Sequence, residues 1–156
     1  MPNWNLPLTG RCRCEQVRFE VTAAPLMTTA CHCIGCQRLT GSPFSLGAIV
    51  PRAGFAITAG VPVIGALHGP SHYYFCPHCM SWLYTQPEQI PDVVVIRSTM
   101  LDDRRGLAPF IETKTSERLP WATTPAVHSF EHWPPPEALG PLIGEFANWE
   151  GRIALG

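Results

Sequence analysis

The distribution of the seven cysteines constrains the fold of this chain more than any other feature, because all seven lie in three short clusters. The central cluster contributes Cys31, Cys33 and Cys36, an earlier pair is Cys12 and Cys14, and a later pair is Cys76 and Cys79. Thiolates are strong ligands for soft and borderline metal ions, and neighbouring thiolates on one turn bind an ion together. The clusters therefore predict a fold organised around metal-binding turns.

The two outer pairs predict a structural zinc site. In an extended stretch, Cys12 and Cys14 project from the same face, because strand side chains repeat every second residue. Cys76 and Cys79 have the Cys-x-x-Cys spacing of a zinc knuckle at the turn of a hairpin. An ion bound by all four would close the long loop between the pairs and hold the first strand against the central hairpin.

The three central cysteines predict a second site of a different kind. Three thiolates without an obvious fourth ligand are typical of a catalytic zinc, whose open position accepts water or substrate. The alternative is a closed site in which His32, His78 or another imidazole is the fourth ligand. His32 follows Cys31 in an extended stretch, so its ring is expected on the opposite face, behind the ligands or at the surface.

Disulfide and redox roles for these cysteines are both disfavoured. The count is odd, and residues 1–8 lack the basic and apolar segments of a secretory signal, which predicts a reducing, cytoplasmic location. A redox-active Cys-x-x-Cys usually follows a strand in an alternating βαβ pattern, and that pattern is missing from the sequence.

The composition indicates one globular domain over residues 1–156. Apolar residues make up 46% of the chain and charged residues 15%. The formal net charge is -1 and the basic residues are scattered, so neither nucleic acid nor a membrane surface is an expected partner. No stretch approaches the roughly eighteen consecutive apolar residues of a membrane span. A homodimer is left open.

Apolar alternation and turn residues predict a mainly β architecture. The predicted strands and extended segments lie at 16–21, 26–30, 44–50, 55–58, 63–67, 72–75, 82–85, 93–98 and 110–115. A helical turn is predicted at 37–39. The zinc-binding β core is expected to span about residues 8–135.

The C-terminal part of the chain predicts a wrap followed by one helix over residues 136–156. Residues 119–136 are expected to form an ordered irregular segment anchored by Trp121, Phe130 and Trp133. Apolar residues at helical spacing follow, with Pro141 in the first turn of the predicted helix and Gly151 as its C-cap.

Several short segments recur in the order of a known family. They are Gly10-Arg11-Cys12-Arg13-Cys14, Cys31-His32-Cys33-Ile34-Gly35-Cys36, Thr40-Gly41-Ser42-Pro43-Phe44-Ser45, Phe75-Cys76-Pro77-His78-Cys79, Leu101-Asp102-Asp103 and Leu119-Pro120-Trp121. Over roughly residues 8–135 the chain thereby resembles the glutathione-dependent formaldehyde-activating enzyme family, which also contains centromere protein V. One departure is Met80, where the family usually has glycine.

The resemblance implies a β-tent fold of small antiparallel sheets held by zinc. It implies a structural ion on the four outer cysteines and a catalytic ion on the three central ones. The activity it implies is that of a zinc-dependent carbon-sulfur lyase, which forms or breaks thiol–aldehyde adducts such as S-hydroxymethylglutathione, made from glutathione and formaldehyde. Arg38 is the arginine nearest in sequence to the central cysteines, and it is either a carboxylate-binding group for the thiol or a solvated surface charge.

A second hypothesis is a non-catalytic zinc-binding module that interacts with proteins. Its distinguishing features would be a closed second zinc site or a broad basic or apolar docking face. The sequence shows neither basic runs nor extended tails, and it therefore favours the enzyme.

Overall fold

The computed structural model describes residues 3–151 of the chain, and these residues form a mainly β structure. The strands are β1 (Leu8–Arg11), β2 (Arg18–Val21), β3 (Met27–Cys31), β4 (Ser45–Pro51), β5 (Phe55–Ala59), β6 (Val63–Gly65), β7 (His72–Phe75), β8 (Trp82–Gln86), β9 (Val93–Ile96), β10 (Ile111–Thr113) and β11 (His128–Ser129). The α-helices are α1 (Ile34–Thr40) and α2 (Pro136–Ala147). The predicted mainly β fold with a C-terminal helix is confirmed. Within residues 3–151, no helix has both the length and the apolar character needed to cross a bilayer.

The chain is divided between two compact units, each built from separate segments. Residues 3, 26–48 and 105–151 form the first unit, and residues 4–25 and 49–104 form the second. The three central cysteines belong to the first unit and the four outer ones to the second. The single domain over residues 1–156 stays a prediction, and its residues 1, 2 and 152–156 lie outside the described part.

In the first unit, β3 is the strand that ends at Cys31, the first of the central cysteines. It pairs in parallel with β10, which in turn pairs in parallel with β11, and its other neighbour is β4. The β-tent fold expected from the sequence has antiparallel sheets, so the parallel pairing of β3, β10 and β11 differs from that expectation. The difference arises because the chain reaches β10 through a long connection and not through a hairpin, so either orientation is accessible.

The second unit consists of antiparallel strands. β1, β2 and β5 form a three-stranded sheet, and β9, β8, β7 and β6 follow one another as hairpin neighbours. An aromatic core joins the two groups, with Phe55 lying 5.5 Å from Phe19 and 4.7 Å from Tyr84 between ring centroids. β1 is not among the predicted strands, because it has only four residues, contains glycine and takes its order from β2.

The C-terminal helix begins and ends earlier than its apolar spacing indicates. Pro136 occupies the first turn, where a missing N–H costs little, and Pro141 lies inside the helix. The C-cap is Asn148, so the prediction that Gly151 ends the helix is wrong. Leu142 and Phe146 are its buried residues, which confirms the predicted apolar face.

The irregular segment before α2 is held by its backbone and not by the two tryptophans expected to anchor it. Trp121 is 70% exposed and Trp133 is 62% exposed, so the prediction that they pack against the core is wrong. Backbone N–H groups of Val127 and Phe130 instead donate to carbonyl groups next to and within β10, at 2.9 Å each. Because these bonds satisfy the backbone, the segment is ordered without burying its indole rings.

Gly10 in β1 leaves no room for a side chain. A Cβ atom there would meet the ring of Phe19 and would lie 2.7 Å from the carbonyl oxygen of Met100. We expect Gly10→Ala to lower the free energy of unfolding by about 2 kcal/mol, because both neighbours are held in place. Urea or thermal unfolding measures the loss. Gly69→Ala is the control in the same unit, since a Cβ there meets nothing within 4 Å. An equal effect of both substitutions would contradict crowding at Gly10.

Candidate metal centres

The four outer cysteines converge in the second unit. Their sulfur atoms all lie within 4.8 Å of one another, and the Cys14 sulfur is 3.5 Å from that of Cys12 and 3.7 Å from that of Cys76. A tetrahedral zinc with Zn–S bonds near 2.3 Å requires sulfur separations of about 3.8 Å. The donor set and its spacing therefore fit zinc.

Both pairs of outer cysteines lie in tight turns. Cys76 and Cys79 occupy the predicted turn between β7 and β8, where the Met80 N–H donates to the Cys76 carbonyl at 2.9 Å. Cys12 also begins a turn, because the Glu15 N–H donates to its carbonyl at 3.1 Å. The prediction that Cys12 and Cys14 lie in an extended stretch is therefore wrong, although the two sulfur atoms do meet.

Ser81 is a neighbour of this cluster that the sequence analysis did not predict. Its hydroxyl lies 3.2 Å from the Cys79 sulfur and accepts a hydrogen bond from the Arg13 backbone N–H at 3.2 Å. Burial raises the pKa of Cys79, but hydrogen bonds, first among them that of Ser81, outweigh burial and lower the pKa to about 5. A thiolate is the form that binds metal, so the surroundings favour a ligand at this position.

The three central cysteines converge where β3 passes into α1. Their sulfur atoms also lie within 4.8 Å of one another. Cys31 ends β3, and Cys33 is the N-cap of α1, its sulfur accepting the Cys36 N–H at 3.2 Å. Cys31 is buried, whereas Cys33 and Cys36 are half-buried. The cluster is therefore accessible from the side of Cys33 and Cys36.

The helix after this cluster is longer than the predicted helical turn at 37–39. It ends at Gly41, whose φ of 61° lies in the left-handed region that glycine adopts without strain. The Gln37 side-chain amide holds this helix in place. It donates to the His32 carbonyl at 2.7 Å and to the Glu117 carbonyl at 3.0 Å. Arg38 is exposed in the last turn.

In the part of the chain that the structure describes, the three central sulfur atoms have no fourth partner of the usual ligand types. Among residues 3–151, no histidine nitrogen, carboxylate oxygen or further sulfur joins their group. His78 is exposed in the turn that carries Cys76 and Cys79, and His32 is fully buried. The described residues therefore leave one position of a tetrahedral ion without a protein ligand.

Hydrogen bonds between the central thiols shift their pKa values in opposite directions. Bonding to Cys36 lowers the pKa of Cys31 to about 5, against the opposing effect of burial. The same bond and burial raise the pKa of Cys36, while the Ser45 hydroxyl, which donates to its sulfur at 3.1 Å, opposes the increase. A metal that binds here must displace the proton that this pair shares. Ser45 was quoted in the family segment, but its position at the start of β4 gave no sign of this bond.

A buried carboxylate next to this cluster also went unpredicted. Glu112 in β10 lies 2.9 Å from His32 through its Oε2 atom, and accepts hydroxyl hydrogen bonds from Thr124 and Ser129 at 2.8 and 2.7 Å. Burial raises the pKa of Glu112, but the bonds from Ser129, His32 and Thr124 outweigh it and lower the pKa below its ordinary value. The signal in the sequence is a glutamate that directly follows Phe110 and Ile111 within a predicted strand.

Comparison with known proteins places these clusters in a family context. The family model described as glutathione-dependent formaldehyde-activating enzyme matches residues 7–117, more than half of the chain and a range that contains all seven cysteines. A protein of Emericella nidulans, provisionally named a glutathione-dependent formaldehyde-activating enzyme, is 29% identical over 79 residues. The match covers 49% of this chain and 40% of that protein, so it spans less than half of the relative.

A solved structure supports the fold. The crystal structure of a Rhodobacter sphaeroides protein superimposes with a TM-score of 0.51, covering 60% of this chain and 87% of the other. The sequences are 20% identical in that comparison, so the likeness concerns the fold alone.

Met80 lies in the left-handed region directly after the second outer pair, with a φ of 59°. A side chain there costs about 1 kcal/mol or more, whereas glycine adopts this conformation freely. Met80 is 59% exposed, so its side chain contributes little packing. We therefore expect Met80→Gly to raise the free energy of unfolding by about 0.5 to 1 kcal/mol, after allowing for the greater freedom of glycine in the unfolded chain.

The control is Met80→Ala, which shortens the side chain but retains the Cβ atom. Chemical unfolding of the metal-loaded protein compares the two variants. If they are equally stable, relief of backbone strain at this turn is not the cause.

Proposed function

The chain belongs to the glutathione-dependent formaldehyde-activating enzyme family, and from this premise we propose that it is a zinc-dependent carbon-sulfur lyase acting on thiol–aldehyde adducts. The substrate class is S-hydroxymethylglutathione and related adducts of small thiols and small aldehydes. The observation that carries the proposal is the three-cysteine cluster, which has no fourth ligand among the described residues. An accessible ion with three protein ligands is the arrangement of catalytic zinc sites.

The two cysteine clusters take different roles in this proposal. Cys12, Cys14, Cys76 and Cys79 offer four sulfur atoms and hold a structural zinc. Cys31, Cys33 and Cys36 offer three and hold the catalytic zinc. When bound there, zinc supplies a Lewis acid that favours the thiolate form of a bound thiol and polarises a carbonyl oxygen.

The reaction needs no oxidant or reductant. In adduct breakdown, the carbon-sulfur bond breaks and its electron pair stays on sulfur, while the hydroxyl group loses its proton and becomes the aldehyde carbonyl. That proton ends on the thiol product, and formation of the adduct is the reverse. The chain must therefore stabilise a thiolate and give small molecules access to it. The half-buried Cys33 and Cys36 side of the central cluster meets both requirements.

The surrounding residues of the first unit hold this side in place. Ser45 donates to the Cys36 sulfur, and Gln37 fixes the start of α1 through two carbonyl groups. Arg38 is exposed on the same helix and offers a guanidinium group to a carboxylate of the thiol. These contacts support orientation of the thiol, and no residue within 3–151 selects glutathione over another small thiol.

We also propose a cytoplasmic location, since seven free thiols arranged for metal binding suit a reducing compartment. The net charge of -1 supports small-molecule partners over nucleic acid or a membrane surface. The homodimer stays a prediction.

One observation favours a protein-interaction module as the second candidate. Around the edge strand β6, four apolar residues are exposed, with Leu67 at 91%, Val61 at 77%, Ile64 at 40% and Val63 at 39%. Exposed apolar groups of this kind are typical of protein contact surfaces. A module would bind through this segment and show no acceleration of adduct breakdown.

Zinc content distinguishes the two sites. We expect about two zinc ions per chain in protein purified without added metal, and about one in Cys33→Ser, because one ligand of the three-cysteine site is lost. Serine is a good N-cap residue, so α1 and the circular dichroism spectrum should be retained. Cys14→Ser is the matched variant at the other site and should also lower thermal stability. If only one zinc is ever bound, or if Cys33→Ser unfolds the chain, the catalytic assignment fails.

Exchange between free formaldehyde and its glutathione adduct tests the activity. We expect the zinc-loaded protein to accelerate this exchange at least about tenfold over buffer, and Cys33→Ser to abolish the acceleration. Exchange NMR measures both rates, and other small thiols define the thiol preference. A protein that holds both zinc ions but accelerates no thiol–aldehyde exchange would favour the interaction module.

A further inference from the structure

His32 is a buried imidazole between two of the proposed zinc ligands. Its side chain is 0% exposed, and its Nε2 atom lies 2.9 Å from the Glu112 carboxylate. The ring also meets Phe44 edge-on at 5.4 Å between centroids. Since Nε2 is taken by Glu112 and the nitrogens stay outside the sulfur group, the imidazole lies next to the cluster without entering it.

The Glu112 carboxylate is fixed on both of its oxygen atoms. Thr124 donates to Oε2, the atom that also faces His32, and Ser129 donates to Oε1. The Arg118 guanidinium lies 3.5 Å from Oε1 and brings a positive charge. A carboxylate with this many donors is ionised and has little freedom to rotate.

The direction of the hydrogen bond shows that one particular imidazole nitrogen carries a hydrogen. An ionised carboxylate only accepts, so the His32 Nε2 atom carries the hydrogen that lies between them. The Nδ1 atom is buried and has no hydrogen-bond partner among the described residues. Burying a nitrogen without a hydrogen-bond partner costs free energy, and an apolar side chain would avoid that cost. The role of this imidazole is therefore the bond that its Nε2–H donates.

The backbone of His32 is held at the same time. Its N–H donates to the Thr113 carbonyl at 3.0 Å, and its carbonyl accepts the Gln37 amide at 2.7 Å. The hydrogen bond between the His32 ring and Glu112 is therefore the third bond that fixes His32, whose two neighbours in the chain are Cys31 and Cys33. Rotation at His32 would move both sulfur atoms, because they are attached on either side of it.

We infer that Glu112, acting through His32, is the positioning residue of the three-cysteine centre, because it fixes the segment that sets the separation of the Cys31 and Cys33 sulfur atoms. The inference rests on the proposed function, which assigns an ion to that centre. Partners of this kind that orient metal ligands typically change metal affinity by about 10- to 100-fold when removed.

The test is Glu112→Gln, which retains the shape and removes the charge. We expect the affinity of the three-cysteine centre for Co²⁺ to fall about 10- to 100-fold in a chelator competition, while the four-cysteine centre is unchanged. At saturating Co²⁺, the thiolate-to-cobalt absorption of the weakened centre should shift, because its sulfur geometry is less well fixed. Loss of packing alone would not move that band.

The matched control is Glu145→Gln. Glu145 also pairs with a histidine in the same unit, through 3.0 Å contacts to His128, but its side chain is 52% exposed and it is remote in sequence from the cysteines. We expect wild-type affinities and spectra at both centres. If Glu112→Gln fails to fold, Ser129→Ala removes a single donor to Glu112 and should weaken the same centre a few-fold, with Ser129→Thr restoring it.

The outcomes separate this inference from the proposed function. Two metal sites in the wild type and an unchanged three-cysteine centre in Glu112→Gln, or in Ser129→Ala where that variant replaces it, would overturn the positioning role alone. Equal weakening of both centres would overturn it too, since it would indicate a general loss of stability. A wild type that never binds metal at the three-cysteine centre would overturn the proposed function itself.

Discussion

The convergence of sulfur atoms from distant turns is the constraint on which the second unit depends. Cys12 and Cys14 lie in the turn between β1 and β2, and Cys76 and Cys79 lie in the turn between β7 and β8. Like-charged thiolates at such short separations repel one another, so a cation or bound protons must accompany them. An ion shared by both turns would link strands that are far apart in sequence, which a short strand such as β1 could not achieve by pairing alone.

The sequence predicts the strands from β2 to β10 because each has a local signal, whereas β1 and β11 have none. Alternating apolar residues mark β2, and glycine or proline marks the ends of the strands from β4 to β7. The parallel pairing of β10 has no such signal, since it depends on the path of a long connection. The exposure of Trp121 and Trp133 cannot be predicted from the sequence either, because an indole ring has the same apolar character in the core and at the surface.

The candidate ligand clusters can be predicted from their spacing, whereas the residues that contact them from other elements cannot. The cysteine clusters are close in sequence, and chelation by neighbours is a local property. Ser45 and Glu112 act on Cys36 and on His32 from other elements, so only the folded chain brings them there. Ser81 is close to Cys79 in sequence, but its bond with the Arg13 N–H also needs the folded chain. The extended geometry expected for Cys12 and Cys14 was wrong because a Cys-x-Cys pair fits a turn as well as a strand.

The helix α1 shows how closely local order and ligand placement are linked. With seven residues it is too short to persist by itself in water. Cys33 is its N-cap, the Gln37 side chain bonds it to the His32 carbonyl, and Gly41 is its C-cap. Cys36 sits in its first turn, so the helical backbone itself sets the distance between two thiols. Formation of this one helical turn therefore brings the Cys33 and Cys36 thiols to the separation that a shared ion requires.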